Sequence, residues 1–454
     1  MILMVVFMYF PVLQKRFFKG VLCGLLLCLG RGAVFSLPAQ KLIYPGEWPY
    51  DALAILSQEQ RVLFFSGAML TVAQIRGMLA EIDGDSLSPS GRTVYEKLSA
   101  YLDGQADLSF HSGALEVDIW AALHGELYYK SNEKTGWIYD HTRRKPFFTA
   151  PMSISFSPYA TLELDVNAEE KRDALNISDN YSNFLFWKSF NFNMPHRAYL
   201  SLGLPLPLSS GLHFKIGMGE DFYGRTHTGS IILSDFMTDV TYATLAFYSP
   251  LVNYSANIME LEVDKYYYYH KLETRFFKKF SFSMFEGVLV NAPLELRYLN
   301  PTMIFHSFHG YSDYEPPDDP NLIGGYKNSR VSSFFAMKME VQFLKHSRFY
   351  GIWALNEMQT AGERRKDPGA LRVNSFGFQG GAEFSLPHSL AGGGHWTFGL
   401  EGVYTYPFFY VMEGKDWSFY KAADSQSGNL EFWMGTPFGP DSAAASLWGA
   451  FNAP

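Results

Sequence analysis

Hydrophobic and polar residues alternate one by one along much of the chain. Over residues 152–168 the even positions are mainly apolar, whereas the odd positions carry serine, threonine and carboxylate side chains. The same period runs through 115–130, 212–218 and 337–343. A period of two places neighbouring side chains on opposite faces of a β-strand. The pattern predicts long strands with one apolar and one wet face, and a strand that crosses a bilayer needs about 9 to 11 residues.

A helical period replaces the alternation near the N-terminus. Residues 50–60 form one amphipathic stretch. Thr71 and Gln74 form a capping box that predicts the start of a second helix, and Ser88 followed by Pro89 predicts the start of a third. Three short helices make a bundle that is too small to be stable unless it docks onto another part of the chain.

Composition narrows the class of protein to which such strands belong. Aromatic residues make up 17% of the chain and charged residues 18%. A soluble β-sandwich also alternates, but with shorter strands and fewer rings. Half-apolar strands with aromatic girdles are typical of membrane barrels. We therefore expect an all-β fold, namely a transmembrane antiparallel β-barrel of about 16–18 strands, with a small N-terminal α-helical periplasmic domain.

The N-terminus predicts export to the outer membrane. Basic residues precede an apolar stretch at 20–29, and cleavage is expected after Ser36 or Ala39. The alternative is an N-terminal membrane anchor. The predicted domains are a signal peptide at 1–39, a periplasmic helical bundle at 40–104 and an outer-membrane β-barrel at 105–454.

Charge and cysteine content exclude several function classes. The chain has 37 basic and 45 acidic residues, a formal net charge of -8, so we expect no nucleic-acid partner, because phosphate binding needs a basic face. Both cysteines, Cys23 and Cys28, lie in the predicted signal, which leaves no thiol for catalysis or metal binding in the exported chain.

A charged face predicts what lines the barrel interior. Lys271, Glu273 and Arg275 are two residues apart and so share one face of a predicted strand. A charge that faces lipid at mid-membrane costs about 2–4 kcal/mol, so this face is expected to line the lumen. Glu295 and Arg297 have the same spacing on a neighbouring predicted strand. Two interpretations stay open: a salt-bridge ladder that packs the interior, or a polar track for a sugar chain or an ion.

The segment 219–235 combines glycines with polar side chains and is a second candidate site. Glycine lets the backbone approach a ligand closely, and carboxylates with arginine can bond sugar hydroxyls. The alternative is a tight turn or a constriction of the lumen. The candidate residues of this segment are Glu220, Asp221, Arg225, His227 and Asp235.

Two further features are interpreted without a ligand. His306 and His309 would lie on opposite faces of a strand, so we predict neither a metal site nor a cofactor. The four tyrosines at 266–269 are expected to form an interfacial girdle rather than a platform for stacking sugars.

No common catalytic motif occurs in the sequence, which lacks the serine-hydrolase elbow, the zinc-protease helix, the phosphate-binding glycine loop and the EF-hand loop. We therefore expect no enzyme and no catalytic residue. An outer-membrane hydrolase is a further alternative, with Glu220, Asp221 and His227 as its candidate site.

Dispersed motifs, in order along the chain, resemble the Wzi-like capsule-assembly outer-membrane proteins. They are WPYD at 48–51, GMGEDFYG at 217–224, GSIILSD at 229–235, YHKLETR at 269–275, Glu286, and LRYLNP at 296–301. The resemblance implies an 18-stranded barrel with a periplasmic helical bundle that holds or assembles surface polysaccharide without catalysis, and it adds Glu286 to the candidate residues. The expected partners are outer-membrane lipid and, as a hypothesis, a surface polysaccharide, with a monomer favoured. The alternative function is an outer-membrane channel or porin for small solutes.

Overall fold

The computed structural model describes residues 37–104, 106–113, 115–125, 146–170, 190–193, 197–237, 239–305, 331–358, 361–366, 373–388, 394–411, 418–423 and 430–452. Residues 1–36, which make up most of the predicted signal, lie outside the described residues. His306 and His309 also lie outside them. Two 3-10 turns are found at Gly84–Ser86 and Leu296–Leu299. The α-helices are α1 Trp48–Gln60, α2 Val72–Leu79, α3 Pro89–Leu102 and α4 Ala361–Lys366.

Strands make up most of the rest. They are β1 Leu42–Ile43, β2 Leu70–Thr71, β3 Leu108–Ser112, β4 Leu115–Ile119, β5 Ala122–Leu123, β6 Phe148–Ser157, β7 Ala160–Glu170, β8 Phe190–Asn193, β9 Ala198–Leu206, β10 Ser210–Gly219, β11 Val240–Tyr248, β12 Val252–Glu262, β13 Lys265–Phe276, β14 Phe280–Asn291, β15 Val331–Val341, β16 Ser347–Glu357, β17 Ser375–Pro387, β18 His395–Thr405, β19 Tyr420–Ala423, β20 Leu430–Trp433 and β21 Ser442–Asn452.

One closed barrel dominates the fold. Within the described ranges, seventeen strand segments form it, namely β3 to β18 and β21. The short segments β4 and β5 both pair with β6, and β8 and β9 both pair with β7. The remaining strands form two small sheets, β1 with β2 and β19 with β20. The predicted fold class, an antiparallel β-barrel, is confirmed.

The barrel wall is apolar outside and polar inside. On β10, the side chains of Leu212, Phe214 and Ile216 point outward and are more than a third exposed, whereas His213 and Lys215 point inward and are buried. The same division holds on β18, where the outward Trp396, Phe398, Leu400 and Tyr404 are all exposed. This order is the reverse of that in a water-soluble protein, and it is the order that a wall facing lipid requires.

The long alternation at 152–168 is two strands and not one. β6 and β7 are joined by a two-residue turn in which Ser157 pairs with Ala160, and the register then shifts so that Ser155 pairs with Thr161. A two-residue hairpin by itself would exchange the faces of odd and even positions. The β-bulge at this shift exchanges them back, so the sequence pattern continues unbroken through a turn that it does not reveal.

The N-terminal helices have the predicted caps. The Gln74 N–H donates to the Thr71 hydroxyl at 3.1 Å, and the Gln74 side chain accepts from the Thr71 N–H at 2.8 Å, which completes the capping box of α2. The Ser88 hydroxyl caps α3, and Pro89 is its first residue. None of the helices in the described ranges is both long and apolar enough to cross a membrane.

The two ends of the barrel differ in their connections. At one end, called here the short-turn end, strands are joined by the turns 158–159, 207–209, 249–251, 277–279, 342–346 and 388–394. At the other, called the long-loop end, the connections include 220–239, 292–330, 358–374 and 406–441. Membrane barrels of this kind have short turns on the periplasmic side and longer loops outside.

Residues 37–104, called here the helical plug, close the short-turn end. The Leu63 N–H donates to the Lys278 carbonyl at 2.8 Å, and the Ser90 hydroxyl donates to the His388 carbonyl at 2.9 Å. Both acceptors lie in short turns. The plug has its own apolar core, which continues into the barrel through Phe222. The helices therefore obtain the docking surface that so small a bundle needs.

Two long connections fold back into the lumen and fill it. Residues 220–237, called here the inserted segment, include Tyr223, Ile231, Ile232 and Leu233, all fully buried. The connection after β18 contributes Tyr410, whose hydroxyl donates to the Ile231 carbonyl at 2.6 Å. Inward-facing rings of the wall complete this core, namely Tyr242, Tyr267, Tyr269, Phe285 and Phe334.

A charge placed on the outer wall tests which face meets lipid. We expect Leu400→Arg, in the middle of β18, to lower the free energy of unfolding by about 2–4 kcal/mol, because the guanidinium would lie in hydrocarbon. Leu208→Arg is the control, since Leu208 lies in a turn and is 91% exposed. Urea unfolding of protein refolded in lipid vesicles measures both, and equal effects would contradict a lipid-facing wall.

Candidate functional site

The plug inserts polar groups into the lumen at the short-turn end. The Gln58 side chain at the end of α1 donates to a Glu383 carboxylate oxygen at 3.3 Å. Farther along, the Gly67 N–H donates to Glu273 at 3.2 Å. A β-carbon on Gly67 would lie 2.7 Å from a Glu273 oxygen, so the glycine is what allows the backbone to come this close. The plug is thus bonded to carboxylates of the inner wall.

These carboxylates belong to a continuous ion-pair network. Lys338 lies 3.0 Å from Glu273 and 3.4 Å from Glu340. Arg348 pairs with Glu340 and lies 3.2 Å from Glu383. All five side chains are almost completely buried. Removing one member of such a buried pair is strongly destabilising, because the other charge remains without its partner in a medium of low polarity.

The inserted segment joins the same network. Arg225 pairs with Glu383, and the Arg225 carbonyl accepts a hydrogen bond from Arg348 at 2.8 Å. The inserted segment therefore reaches from the long-loop end down to wall residues that also bind the plug.

Asp221 anchors the beginning of the inserted segment. Its carboxylate lies 2.8 Å from the Lys271 ammonium and 3.8 Å from that of Lys215, and it accepts a hydrogen bond from the Tyr269 hydroxyl. Burial alone would raise the pKa of Asp221, but the two ammonium groups outweigh burial and hold this pKa below its usual range. Asp221 therefore stays charged and is committed to internal partners.

Arg275 ties the plug to the wall. Its guanidinium lies 2.8 Å from the Glu81 carboxylate and donates to the carbonyls of Leu63 and Pro250 at 2.9 and 2.8 Å. Lys278 binds the same carboxylate at 3.0 Å. Arg275 of β13 thus joins the plug to the turn between β11 and β12 at the short-turn end.

Arg197 connects three parts of the molecule. It lies 3.0 Å from Glu47 in the plug and 3.0 Å from Glu220 in the inserted segment, and its guanidinium sits 3.8 Å from the centre of the Tyr44 ring. Burial raises the pKa of Glu47 more than the attraction of Arg197 lowers it. The contact is stabilised by stacking as well as by charge.

Lys41 forms a further bridge between plug and wall. Its ammonium lies 2.6 Å from Glu163 and 4.0 Å from the centre of the Trp120 ring. Burial alone would lower the pKa of Lys41, but the Glu163 carboxylate outweighs burial and raises it. The lysine is therefore a permanent cation within this contact.

The structure brings together part of the predicted set. Lys271, Glu273 and Arg275 share one inward face and are all buried in ion pairs. Their geometry is that of the packing ladder and not of an open polar track. Sequence reasoning missed most of their partners, because a single inward charge carries no mark of the distant residue it meets. The missed residues are Lys41, Glu81, Arg197, Lys338, Glu340, Arg348, Glu383 and Glu401.

Three predicted lumenal residues lie outside the lumen, and for these the prediction was wrong. Glu286 is on the outward face of β14, opposite His270, because the inward positions of that strand are the odd ones. Glu295 and Arg297 are not on a strand. They cap and begin the 3-10 turn on the outside of the wall, where they pair at 2.7 Å.

The remaining candidates lie in the inserted segment. Asp235 is partly buried and accepts from the Ser234 hydroxyl at 3.5 Å. His227 is exposed, and its ring stacks on Trp448 at 4.9 Å with an angle of 19° between the planes. Its backbone N–H donates to Glu401 at 2.9 Å, so the wall holds its position.

The inner wall around Trp448 is less completely covered than the rest. Inward positions of β21 and β3 are not fully buried, and the His111–Glu116 pair between β3 and β4, at 3.8 Å, keeps a quarter or more of each side chain exposed. These strands follow one another in the barrel. We call this part of the wall the open arc. Trp448 lies flat over Gly399 of β18, where any β-carbon would clash with the indole.

The tyrosine run has a different role from the one predicted. Tyr267 and Tyr269 belong to the lumenal core, with ring centres 5.0 Å apart, so they are not part of a girdle. Tyr268 points outward but is fully buried. No cluster of His, Cys, Asp or Glu that could hold a metal ion is found among the described residues.

Comparison with solved structures places this architecture. This chain is similar to Wzi of Escherichia coli, with a TM-score of 0.55 and 13% identity over 90% of this chain and 81% of that one. Wzi is described as an outer-membrane protein involved in group 1 capsule assembly and as a carbohydrate-binding β-barrel. The fold is that of an outer-membrane β-barrel. The outer-membrane channel DcaP of Acinetobacter baumannii is more distant, with a TM-score of 0.28 and 11% identity over 77% of this chain and 100% of that one. No family model matches the sequence, and no curated protein does.

Loss of one buried arginine should loosen the plug. We expect Arg275→Ala to weaken plug docking by about 1–3 kcal/mol, because two carbonyls lose their donor and Glu81 is left with Lys278. Chymotrypsin should then cut the helical plug, while the barrel still migrates anomalously on unboiled gels. Arg92→Ala is the control, since its pair with Asp85 is exposed and such pairs contribute about 0–1 kcal/mol. Equal protease resistance of the two variants would contradict the assigned role.

Acid should loosen a second contact of the plug. Glu59 lies 3.7 Å from His395 and accepts a hydrogen bond from the Ser88 hydroxyl at 3.1 Å. Burial alone would raise the pKa of Glu59, but these interactions outweigh burial and hold this pKa below 4.5. A lowered pKa stabilises the fold at pH values above 4.5, and this stabilisation is lost as the pH falls through the lowered pKa. We expect protease resistance of the plug to fall in acid below pH 4.5, and Glu59→Gln to flatten that step. Glu96→Gln, at an exposed position, should leave the step unchanged.

Proposed function

We propose that this protein is an exported, non-catalytic outer-membrane barrel that binds a surface polysaccharide. The single observation that supports the proposal best is the filled lumen. The helical plug occupies it from the short-turn end and the inserted segment from the long-loop end, and both bind the same buried network through Gln58 and Arg225. A barrel filled in this way holds its ligand at its surface or just inside its mouth.

The orientation of the barrel gives each end a role. Short turns lie on the periplasmic side of such barrels and long loops on the outer side. The helical plug is then periplasmic, as the sequence predicts, and the long-loop end faces the cell exterior. Surface polysaccharide would meet the protein at the long-loop end.

The open arc has the chemistry that a sugar ligand requires. Trp448 and His227 present ring surfaces against which the apolar face of a sugar can stack. Glu116 and His111 also keep part of their polar surface exposed, but they lie at the short-turn end, beside the turn that joins β3 and β4, so we do not place them in this surface. The charged candidates Asp221 and Arg225 are engaged in internal pairs, so we place them in the supporting structure and not in the binding surface.

The likeness to Wzi supports the class of ligand. That protein is described as a carbohydrate-binding β-barrel. At 13% identity the likeness concerns the fold, so the sugar itself must be determined by experiment.

Binding to polysaccharide tests the proposal directly. We expect saturable binding of the purified barrel to polysaccharide extracted from the surface of its own cell, measured by tryptophan fluorescence. Trp448→Ala should weaken this binding by about fivefold or more, on the scale of the roughly 1–3 kcal/mol that stacking of a nucleobase on an aromatic ring contributes. Trp396→Ala, on the outward face of β18, is the matched control and should bind normally. No binding by the unaltered protein would refute the proposal.

Two further measurements separate the alternatives. In planar bilayers we expect no steady conductance from a filled barrel, and a large stable conductance would favour the channel. The bound polysaccharide should keep its chain length after long incubation with the protein. Shortening that disappears in a Glu220→Gln, Asp221→Asn, His227→Ala variant would favour the hydrolase.

A further inference from the structure

One segment of the chain lies on the outside of the barrel wall. Residues 292–305, called here the wall segment, leave β14 at the long-loop end and pack against the outward faces of β12, β13 and β14. The outward side chains of Tyr268, Val288 and Val290 are 0–1% exposed, because Tyr298 and Phe305 of the wall segment cover them. This is a third apolar core, separate from those of the plug and the lumen, on the side where membrane barrels normally meet lipid.

The wall segment extends far down the wall. The Phe305 ring packs against His270 with ring centres 4.5 Å apart. The Pro301 carbonyl accepts a hydrogen bond from the hydroxyl of Tyr254, which lies only two residues from the start of β12 at the short-turn end. The segment starts at the opposite end of the barrel, so its irregular backbone lies at the depth of the hydrocarbon.

Irregular backbone at this depth is unfavourable against lipid. Peptide groups outside regular strands or helices are tolerated in the hydrocarbon region only where protein or a water-filled cavity surrounds them. The outer side of the wall segment carries exposed Asn300 and Thr302 together with large apolar side chains. The most exposed of these are Leu294, Leu296 and Ile304, at 52%, 77% and 63%. A protein surface that covers this side would surround the irregular backbone and bury the exposed apolar side chains.

A complementary surface exists on the next part of the wall. Gly351, Gly380 and Gly402 face outward and pair side by side across β16, β17 and β18. They form the floor of an apolar groove of about 660 Å³, called here the glycine groove. Trp353, Phe378 and Tyr404 line the groove together with Met337 and Met339. No residue of the wall segment lines it, so within one chain the groove and the segment are separate.

We propose that the wall segment of one copy docks into the glycine groove of a second copy. The projecting leucines match a concave apolar surface, and the Glu295–Arg297 pair brings no net charge into the contact. Because the two surfaces differ and lie side by side on the same wall, the contact is head-to-tail, and repeating it around the membrane normal closes a ring. The occupant of the groove is therefore another copy of this chain rather than a lipid tail, which departs from the monomer expected from the sequence.

Cysteine cross-linking tests the contact in native membranes. Both native cysteines lie in the predicted signal, so an introduced cysteine is the sole thiol of the exported chain. We expect Leu296→Cys and Tyr404→Cys, carried on differently tagged copies in one cell, to form a mixed dimer with a short bismaleimide, because both residues lie near the long-loop end. Tyr404 lines the groove, and its replacement leaves the glycine floor intact. Ile216→Cys replaces Tyr404→Cys in the control, because it is outward and exposed near the same end of the distant β10.

A second variant fills the groove. Gly402→Trp should abolish the mixed cross-link, whereas Leu245→Trp, outward on β11, should leave it unchanged, with both variants folded as judged by unboiled gels. Mixed cross-linking no stronger than that of the Ile216→Cys control would overturn the proposal and leave lipid as the occupant. Cross-linking of Leu296→Cys copies with one another alone would also overturn it, because it would indicate a symmetric contact between wall segments. The polysaccharide-binding proposal stands or falls separately, since its test involves the lumen.

Discussion

The rest of this structure depends on the neutralisation of charges inside the barrel. A wall that is apolar outside turns its polar side chains inward, where Lys338, Glu273 and Glu340 are almost completely buried. A buried charge without a partner is penalised by several kcal/mol, so each charge needs an opposite charge and donors around it. The wall alone does not supply all of these donors. Ser66 and Gly67 of the plug complete the bonding of Glu340 and Glu273, which explains why plug and barrel form one unit.

The sequence was sufficient for those features that local periodicity encodes. Alternation identified the outward Phe214 and the inward Lys215 because a strand has only two faces. The capping box at Thr71 and Gln74 was equally predictable, because all of its atoms lie within four residues. The inward face of Lys271, Glu273 and Arg275 follows from the same rule. Strand faces and helix starts are local, and here local reasoning was right.

Partners across the barrel could not be predicted, because no pattern links residues so far apart in the chain. Glu81 and Arg275 are separated by 194 positions and meet only when the plug has docked. Glu286 was a candidate through the resemblance and not through strand periodicity, and it faces outward because the inward positions of β14 carry Phe285 and Leu289. Glu295 and Arg297 were misplaced because a spacing of two also occurs in a 3-10 turn. A filled lumen weakens the polarity contrast on which face assignment depends.

The same network makes the closed barrel a stable state. The inserted segment meets the wall at Glu383 through Arg225, and the plug meets it there through Gln58, so neither can leave without breaking a buried polar contact. Separating Arg225 from Glu383 would leave the Arg225 charge uncompensated in the lumen unless water entered it. A ligand that reached Trp448 and His227 inside the barrel would therefore find a rigid, preformed surface. Such a surface holds a polymer in place, whereas transport through the barrel would require the network to come apart first.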